Sequence, residues 1–143
     1  MGLSRAPMSN TILVPISPGE LLDKITILRI KAQRMTDREK VANVRHELEL
    51  LEQTWRESAR QSGVDVSAEE RELEAVNTRL WVIEDDIREK EGLRAFDARF
   101  IELARSVYIE NDERAAIKKR INQKLGSKIV EEKSYKDYRN PGK

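Results

Sequence analysis

SPGELLDKITILRIKAQRM, residues 17–35, opens like a helix and carries an apolar stripe. Ser17 is a good N-cap, and Pro18 suits the first helical position, where its missing N–H had no partner anyway. Glu20 stands three residues after Ser17, the spacing of a capping box. Leu21, Ile25, Leu28, Ala32 and Met35 then recur at four and three, which draws one stripe along a helix of roughly 28 Å. Leu22, Ile27 and Ile30 widen the buried face. Glu20, Lys24 and Lys31 line one flank; Asp23 and Arg34 lie on another. Pairs at such spacings are ordinarily solvated and contribute a few tenths of a kcal/mol each.

The chain around this helix has 143 residues, the size of one domain. Ala, Glu, Lys, Leu and Arg supply 69 of them, close to the half that marks long helices. With 37% charged and only 5% aromatic residues, the core must be a thin aliphatic seam. Such a chain often completes its core against another chain. The absence of cysteine excludes disulfides, thiolate nucleophiles and Cys-based zinc sites. The single histidine, His46, excludes a two-histidine metal site and sits among Glu47 and Glu49 as a surface residue. No run reaches the length of a membrane span. MGLSRAPM at residues 1–8 has no apolar core of a signal peptide, and Ala6 stands where a myristoylation motif needs Ser or Thr. A cytoplasmic protein is expected. Residues 117–143 hold nine Lys or Arg against three Asp or Glu, a local +6; since the whole chain is +1, the remainder carries −5.

Residues 1–10 read as disordered, residues 11–126 as the helical domain and residues 127–143 as an extended basic tail. Thr11–Ile16 (TILVPI) is β-branched and apolar, an extended segment that could pack along the bundle, with Pro15 confining any strand to an edge. Thr36-Asp37-Arg38-Glu39 repeats the capping-box pattern immediately after helix one, so only a tight turn or a kink separates it from helix two. Helix two carries Val41, Val44, Leu48, Leu51 and Trp55. Ser67 opens helix three with a third capping box. Leu73, Val76, Leu80, Ile83 and Ile87 form its stripe, and Gly92 is the natural C-cap. Beside that stripe runs a mixed line, Asn77, Trp81, Glu84 and Arg88, expected to be half buried because a Trp buries its ring while its N–H seeks a partner. Helix four runs from Asp97 to Leu125, long enough to overhang or bend. Its middle is polar on one face: Tyr108, Asn111, Ala115, Lys118 and Asn122, flanked by Asp112 and Arg114.

Together, ISPGELLDKITILRIK (16–31), LWVIEDDIR (80–88), FIELARSVYIENDERAAIKKRIN (100–122) and LGSKIVEEKSY (125–135) resemble an uncharacterised bacterial protein family. The resemblance covers most of residues 11–138. It implies an association with glycosyltransferase or tetratricopeptide modules, and no established activity or catalytic residues. Arg29 stands where many relatives would carry an acidic residue, and no role is placed on it.

Four chemistries compete for the polar seam. Glu20, Asp23, Glu84 and Asp85 could offer carboxylates to Mg²⁺ from facing helices, with Asn111 and Asp112 as further oxygen donors. This faintly resembles all-α nucleoside triphosphate pyrophosphohydrolases, although their Glu-x-x-Glu partner motif is not in place. Lys24, Lys31, Arg88, Arg114 and Lys118 could converge on a phosphate or carboxylate; all-helical chorismate mutases use such a cluster, but here the resemblance is only in chain length and helix count. The competing structural reading pairs Arg88 and Lys118 with Glu84, Asp85 and Asp112 in a network that fixes helix register. The tail, with Tyr135 and Tyr138 among lysines, could stack on bases; the acidic body argues instead for a solvated or docked tail. Assembly with a protein partner needs the fewest coincidences, since a polar group in an apolar seam can specify partner and register.

The expectation is therefore an all-α four-helix antiparallel bundle, helical hairpins with coiled-coil-like packing and short extended ends. It would be a self-associating interaction or scaffold protein, needing no cofactor and serving envelope polysaccharide enzymes if the resemblance holds. The alternative is a Mg²⁺-dependent pyrophosphohydrolase-like enzyme or a binder of a phosphorylated small molecule. Its ligand would lie among Glu20, Asp23, Lys24, Lys31, Trp81, Glu84, Asp85, Arg88, Tyr108, Asn111, Asp112, Arg114, Lys118 and Asn122.

Overall fold

The computed structural model describes residues 10–140. The expectation of disorder over residues 1–10 therefore falls, except for Asn10, outside the described residues. Four helices follow in order: α1 Pro18–Arg34, α2 Arg38–Ser62, α3 Ser67–Gly92 and α4 Ala98–Lys124. This is an all-α bundle, as the spacing of the apolar residues predicts.

The caps explain the boundaries and correct some of them. Ser17 accepts the Glu20 N–H at 3.2 Å, but the capping box is only half made, because the Glu20 carboxylate faces Lys118 Nζ at 2.6 Å. Asp37, not Thr36, caps α2, accepting the Lys40 N–H at 3.0 Å. At α3 the N-cap position belongs to Val66, which has no side-chain cap bond and is buried in the core instead. Ser67 is the first helical residue, and its N–H is taken by Asp65 Oδ1 at 2.9 Å. The turn after α3 falls at Arg94, with φ 52°, rather than at Gly92. Gly126, at φ 63°, ends α4 as expected, and the Ser127 N–H reaches back to the Asn122 carbonyl at 2.9 Å.

α3 and α4 form an antiparallel hairpin of matched length, 26 and 27 residues. Ion pairs stitch it from end to end: Lys90 to Asp97, Arg79 to Glu110, Arg120 to Glu72 and Lys124 to Glu69. Against α3, then, α4 does not overhang. The short element is α1, at 17 residues. It touches α4 near Lys118 and Asn122 with its first turn, and α3 near Asn77 with its middle. Arg29 then reaches back to Glu70, while Ile30 and Lys31 lie beside Trp81 and Arg88. From Gly19 to Glu20 to Asp23 its partners on α4 step back from Asn122 to Lys118 to Arg114, so α1 runs antiparallel to α4 while packing on both helices of the hairpin.

α1 is the hub of the packing. α2 folds back on it, so the two form a hairpin rather than a bent rod; among the helices, the α2 backbone approaches α1 alone. The core is the thin seam that composition implies. Leu22, Ile25, Leu73, Val76, Ile117 and Ile121 are its most buried members, with Leu48, Leu51 and Trp55 of α2 packed against its edge. Each fully buried side chain of this kind contributes about 1.5–3 kcal/mol.

The two ends behave differently. Residues 11–16 do not pack along the bundle: Ile12, Leu13 and Val14 are 83%, 91% and 65% exposed. No strand pairs them with residues 128–131. The basic tail, by contrast, docks on its own chain. Glu131 meets Lys118 at 3.3 Å, Arg139 meets Asp112 at 3.6 Å, and Tyr138 packs edge-on against Tyr108 with ring centres 4.9 Å apart. It runs back along α4.

Candidate functional site

The polar seam centres on Asp23, in the second turn of α1 and only 1% exposed. α1 packs on both helices of the hairpin, so Asp23 faces α3 and α4 at once. Arg114 of α4 grips it with two parallel bonds, Nε to Oδ1 at 2.8 Å and Nη2 to Oδ2 at 2.5 Å, the bidentate fork that a carboxylate accepts best. Asn77 of α3 donates to Asp23 Oδ1 at 3.0 Å and to Thr26 Oγ1 at 2.9 Å. The Thr26 hydroxyl donates to the Asp23 carbonyl at 2.9 Å, and Arg114 Nη1 donates to Asn111 Oδ1 at 3.2 Å. Burial pushes the Asp23 carboxyl pKa up. Hydrogen bonds from Arg114 and Asn77, with the charges of Arg114 and Lys118, outweigh it and hold the value below the usual carboxylate range. The Arg114 value is raised, first by its bond to Asp23. The result is a fixed ion pair with every charged atom engaged, which suits register rather than proton transfer.

One turn further along α4, Lys118 lies buried between Glu20 at 2.6 Å and Glu131 of the tail at 3.3 Å. Burial lowers its pKa, and the bond to Glu20 with the charges of Asp23, Glu20 and Glu131 more than reverses that. Asn122 closes this end: its Oδ1 accepts the Gly19 N–H at 2.7 Å. Asn122 thus satisfies one of the orphan donors at the start of α1. The approach is so close that a Cβ on Gly19 would sit 2.6 Å from the Lys118 carbonyl oxygen. Beside Lys118 and under the tail, a polar hollow of about 300 Å³ opens among Glu20, Asp112, Glu131 and Tyr135.

On the opposite side of Arg114, where the end of α1 passes α3, a second cleft of about 350 Å³ opens. Ile27, Ile30 and Leu80 line it apolarly, Trp81 stands at it, and Lys31, Glu84, Asp85 and Arg88 surround it. The mixed line of α3 is therefore graded: Asn77 is buried under α1, Trp81 and Glu84 are half buried, and Arg88 is exposed, because α1 covers only its beginning.

The fourteen expected residues thus do not share one cavity. Asp23, Asn111 and Arg114 form the central network. Glu20, Asp112, Lys118 and Asn122 lie on the tail side, while Lys31, Trp81, Glu84, Asp85 and Arg88 lie on the far side. Lys24 is exposed and, among the described residues, reaches only Glu20, at 4.0 Å. Tyr108 is exposed on its open face and meets the tail through Tyr138. The carboxylates expected to share Mg²⁺ are not brought together. Asp23 is closed off by Arg114, Glu84 pairs with Arg88 at 3.4 Å, and Asp85 faces solvent. Among the described residues no group of three or more His, Asp or Glu side chains could hold a metal ion. The five cations are divided: Lys31, Arg88 and Arg114 line the far cleft, while Lys118 lies on the tail side and Lys24 is exposed; Arg88 and Lys118 pair with Glu84 and with Glu20 and Glu131, not with Asp85 or Asp112. Sequence reasoning missed Thr26, Gly19 and Glu131, and left Asn77 out of the site. It also gave no role to Arg29, which joins Glu70 at 2.9 Å with Glu52 and Glu74 close by. Gly19 carried a signal, a glycine in a first helical turn with no turn to make.

Compared with known proteins, residues 12–141 match the model of a family described as a family of unknown function, DUF6165. No curated protein and no solved structure matches the chain. Among the described residues no helix is long and apolar enough to cross a membrane.

Proposed function

The chain belongs to the DUF6165 family of unknown function, and on that premise we propose that it is a helical interaction module that self-associates. The observation that carries this is the segment 11–16. Ile12, Leu13 and Val14 present their side chains to water immediately before the best-anchored helix of the fold. A contiguous exposed apolar run on a small domain marks a binding surface. The occupant we assign to it is a second copy of this chain. Further apolar surface stands open on the same chain, at Leu93, Phe96 and Ile101 around the α3–α4 turn. A net charge of only +1 sets little repulsion between copies, and identical chains most often pair with two-fold symmetry. The buried network supports the reading from the other side: its groups are engaged in holding α1, which leaves the seam structural. The bacterial, cytoplasmic setting and the service to envelope polysaccharide enzymes that the resemblance implies belong to this proposal.

Sedimentation velocity on the native chain and on Leu13→Asp tests it. Leu13 buries almost nothing within one copy, so the substitution should leave the stability of the single chain within about 0.5 kcal/mol of native, any further fall in the melt being that of the lost assembly. It should shift the native assembly to monomer. A native chain that is itself monomeric, or an assembly indifferent to Leu13→Asp and Ile12→Asp together, would overturn the proposal.

A further inference from the structure

The cleft beside Trp81 stands apart from the network that fastens α1, and its groups differ in a way that matters. Arg114 and Lys118 have their charges matched, by Asp23 and by Glu20 with Glu131. The side chain of Lys31, half buried at the cleft, makes no hydrogen bond or ion pair with any described residue. Its stem lies along the apolar wall while its ammonium, with no pair to give up, is open to an anion at the cleft. Arg88 adds a second cation, tied only to Glu84 one turn away and otherwise free to move.

The rest of the cleft narrows the kind of anion. Trp81, with Ile27, Ile30 and Leu80, gives a flat aromatic and aliphatic surface suited to a ring. Trp81, Asp85 and Arg88 recur at four and three on α3 and share one face. The carboxylate of Asp85 has no partner among the described residues. It would accept hydrogen bonds from hydroxyl or amino groups, and it would repel a second phosphate. At about 350 Å³ the cleft lies at the lower end of ligand pockets, which suits one ring, one sugar and one phosphate.

We propose that this cleft binds a nucleoside monophosphate, with the base against Trp81, the phosphate on Lys31 and Arg88, and the ribose hydroxyls towards Asp85. It goes beyond self-association and does not depend on it. No bond is made or broken: Glu84, the carboxylate beside the phosphate position, is engaged by Arg88, and the role is recognition.

The test uses Trp55→Phe, which leaves Trp81 as the only tryptophan, and follows its fluorescence during titration. Adenosine monophosphate should give a saturable change at or below about 1 mM. Adenosine and inorganic phosphate, each lacking half of the ligand, should bind at least about tenfold more weakly. Lys31→Met, which removes no existing pair, should weaken adenosine monophosphate by about tenfold while the helical signal and melting temperature stay native. Should Trp55→Phe disturb folding, amide chemical shifts of the native chain report the same titration at residues 77–88. No saturable change at about 10 mM, equal binding of inorganic phosphate, or a Lys31→Met variant that binds as the native chain does would each overturn the proposal.

Discussion

Replacing Asp23 by Asn tests the physics of the seam. The carboxylate is 1% exposed and holds both arms of the Arg114 fork. The amide keeps its shape but loses its charge, and it turns an NH₂ group towards the guanidinium. Removing one partner of a buried ion pair costs about 3–5 kcal/mol, chiefly because the other charge stays behind unpaired. Arg114 can recover part of that, since its side chain is 29% exposed and can turn towards water. The lower end, about 3 kcal/mol, is therefore expected. In a domain of this size that lowers the melting temperature by about 10 °C. Urea denaturation followed by circular dichroism measures it, with an unchanged m-value showing that only stability moved. Asp23→Asn with Arg114→Met should be less destabilised than Asp23→Asn alone, because no uncompensated charge remains. A loss under about 1 kcal/mol for Asp23→Asn, or a double variant worse by the full sum of the two singles, would refute the reasoning.

Other outcomes follow from the same contacts. Gly19→Ala should destabilise by about 1–3 kcal/mol in the same denaturation assay, because its Cβ would meet the Lys118 carbonyl rather than a flexible side chain. Stability should fall at both ends of the pH scale. Asp23 has a depressed folded pKa, so its contribution is complete above the unfolded value of about 3.9 and is lost as pH falls through the folded one. Lys118 has a raised folded pKa, so its contribution holds below about 10.4 and is lost as pH rises through the folded one. Melting temperatures from acid to alkaline pH check both limbs, and Asp23→Asn should flatten the acid one. Tyr138→Ala should loosen only the tail. An aromatic pair is worth about 0.5–1.5 kcal/mol, so limited proteolysis within residues 127–140 should quicken about threefold to tenfold, with the global melt unchanged.

The number and type of helices were legible because the apolar spacing of three and four is carried by long aliphatic runs. The boundaries erred where a residue had a stronger engagement elsewhere. Glu20 matched a capping box and went to Lys118; Val66 displaced Ser67 from the cap because burying a valine outweighs one cap bond. Arg114, Asn111 and Lys118 were legible as a polar interruption in an apolar stripe. Their partners were not, because spacing along one helix says nothing of which helix packs against it or in what register. Asp23 was grouped with Glu20, Glu84 and Asp85 as carboxylates on facing helices; the register of α1 against α4 gives it instead to Arg114. The docking of the tail was hidden for the same reason. Glu131, Tyr138 and Arg139 carry no periodicity, and only the fold brings them to Lys118, Tyr108 and Asp112.

Hydrogen exchange of residues 12–16, followed from about 1 µM to about 100 µM protein, puts the central claim to its most direct trial. If a second copy covers Ile12, Leu13 and Val14, their amides become slower to exchange as the concentration rises, whereas the α3–α4 hairpin core gains only what association adds to global stability. Exchange of this segment that is fast and identical at every concentration would contradict the account.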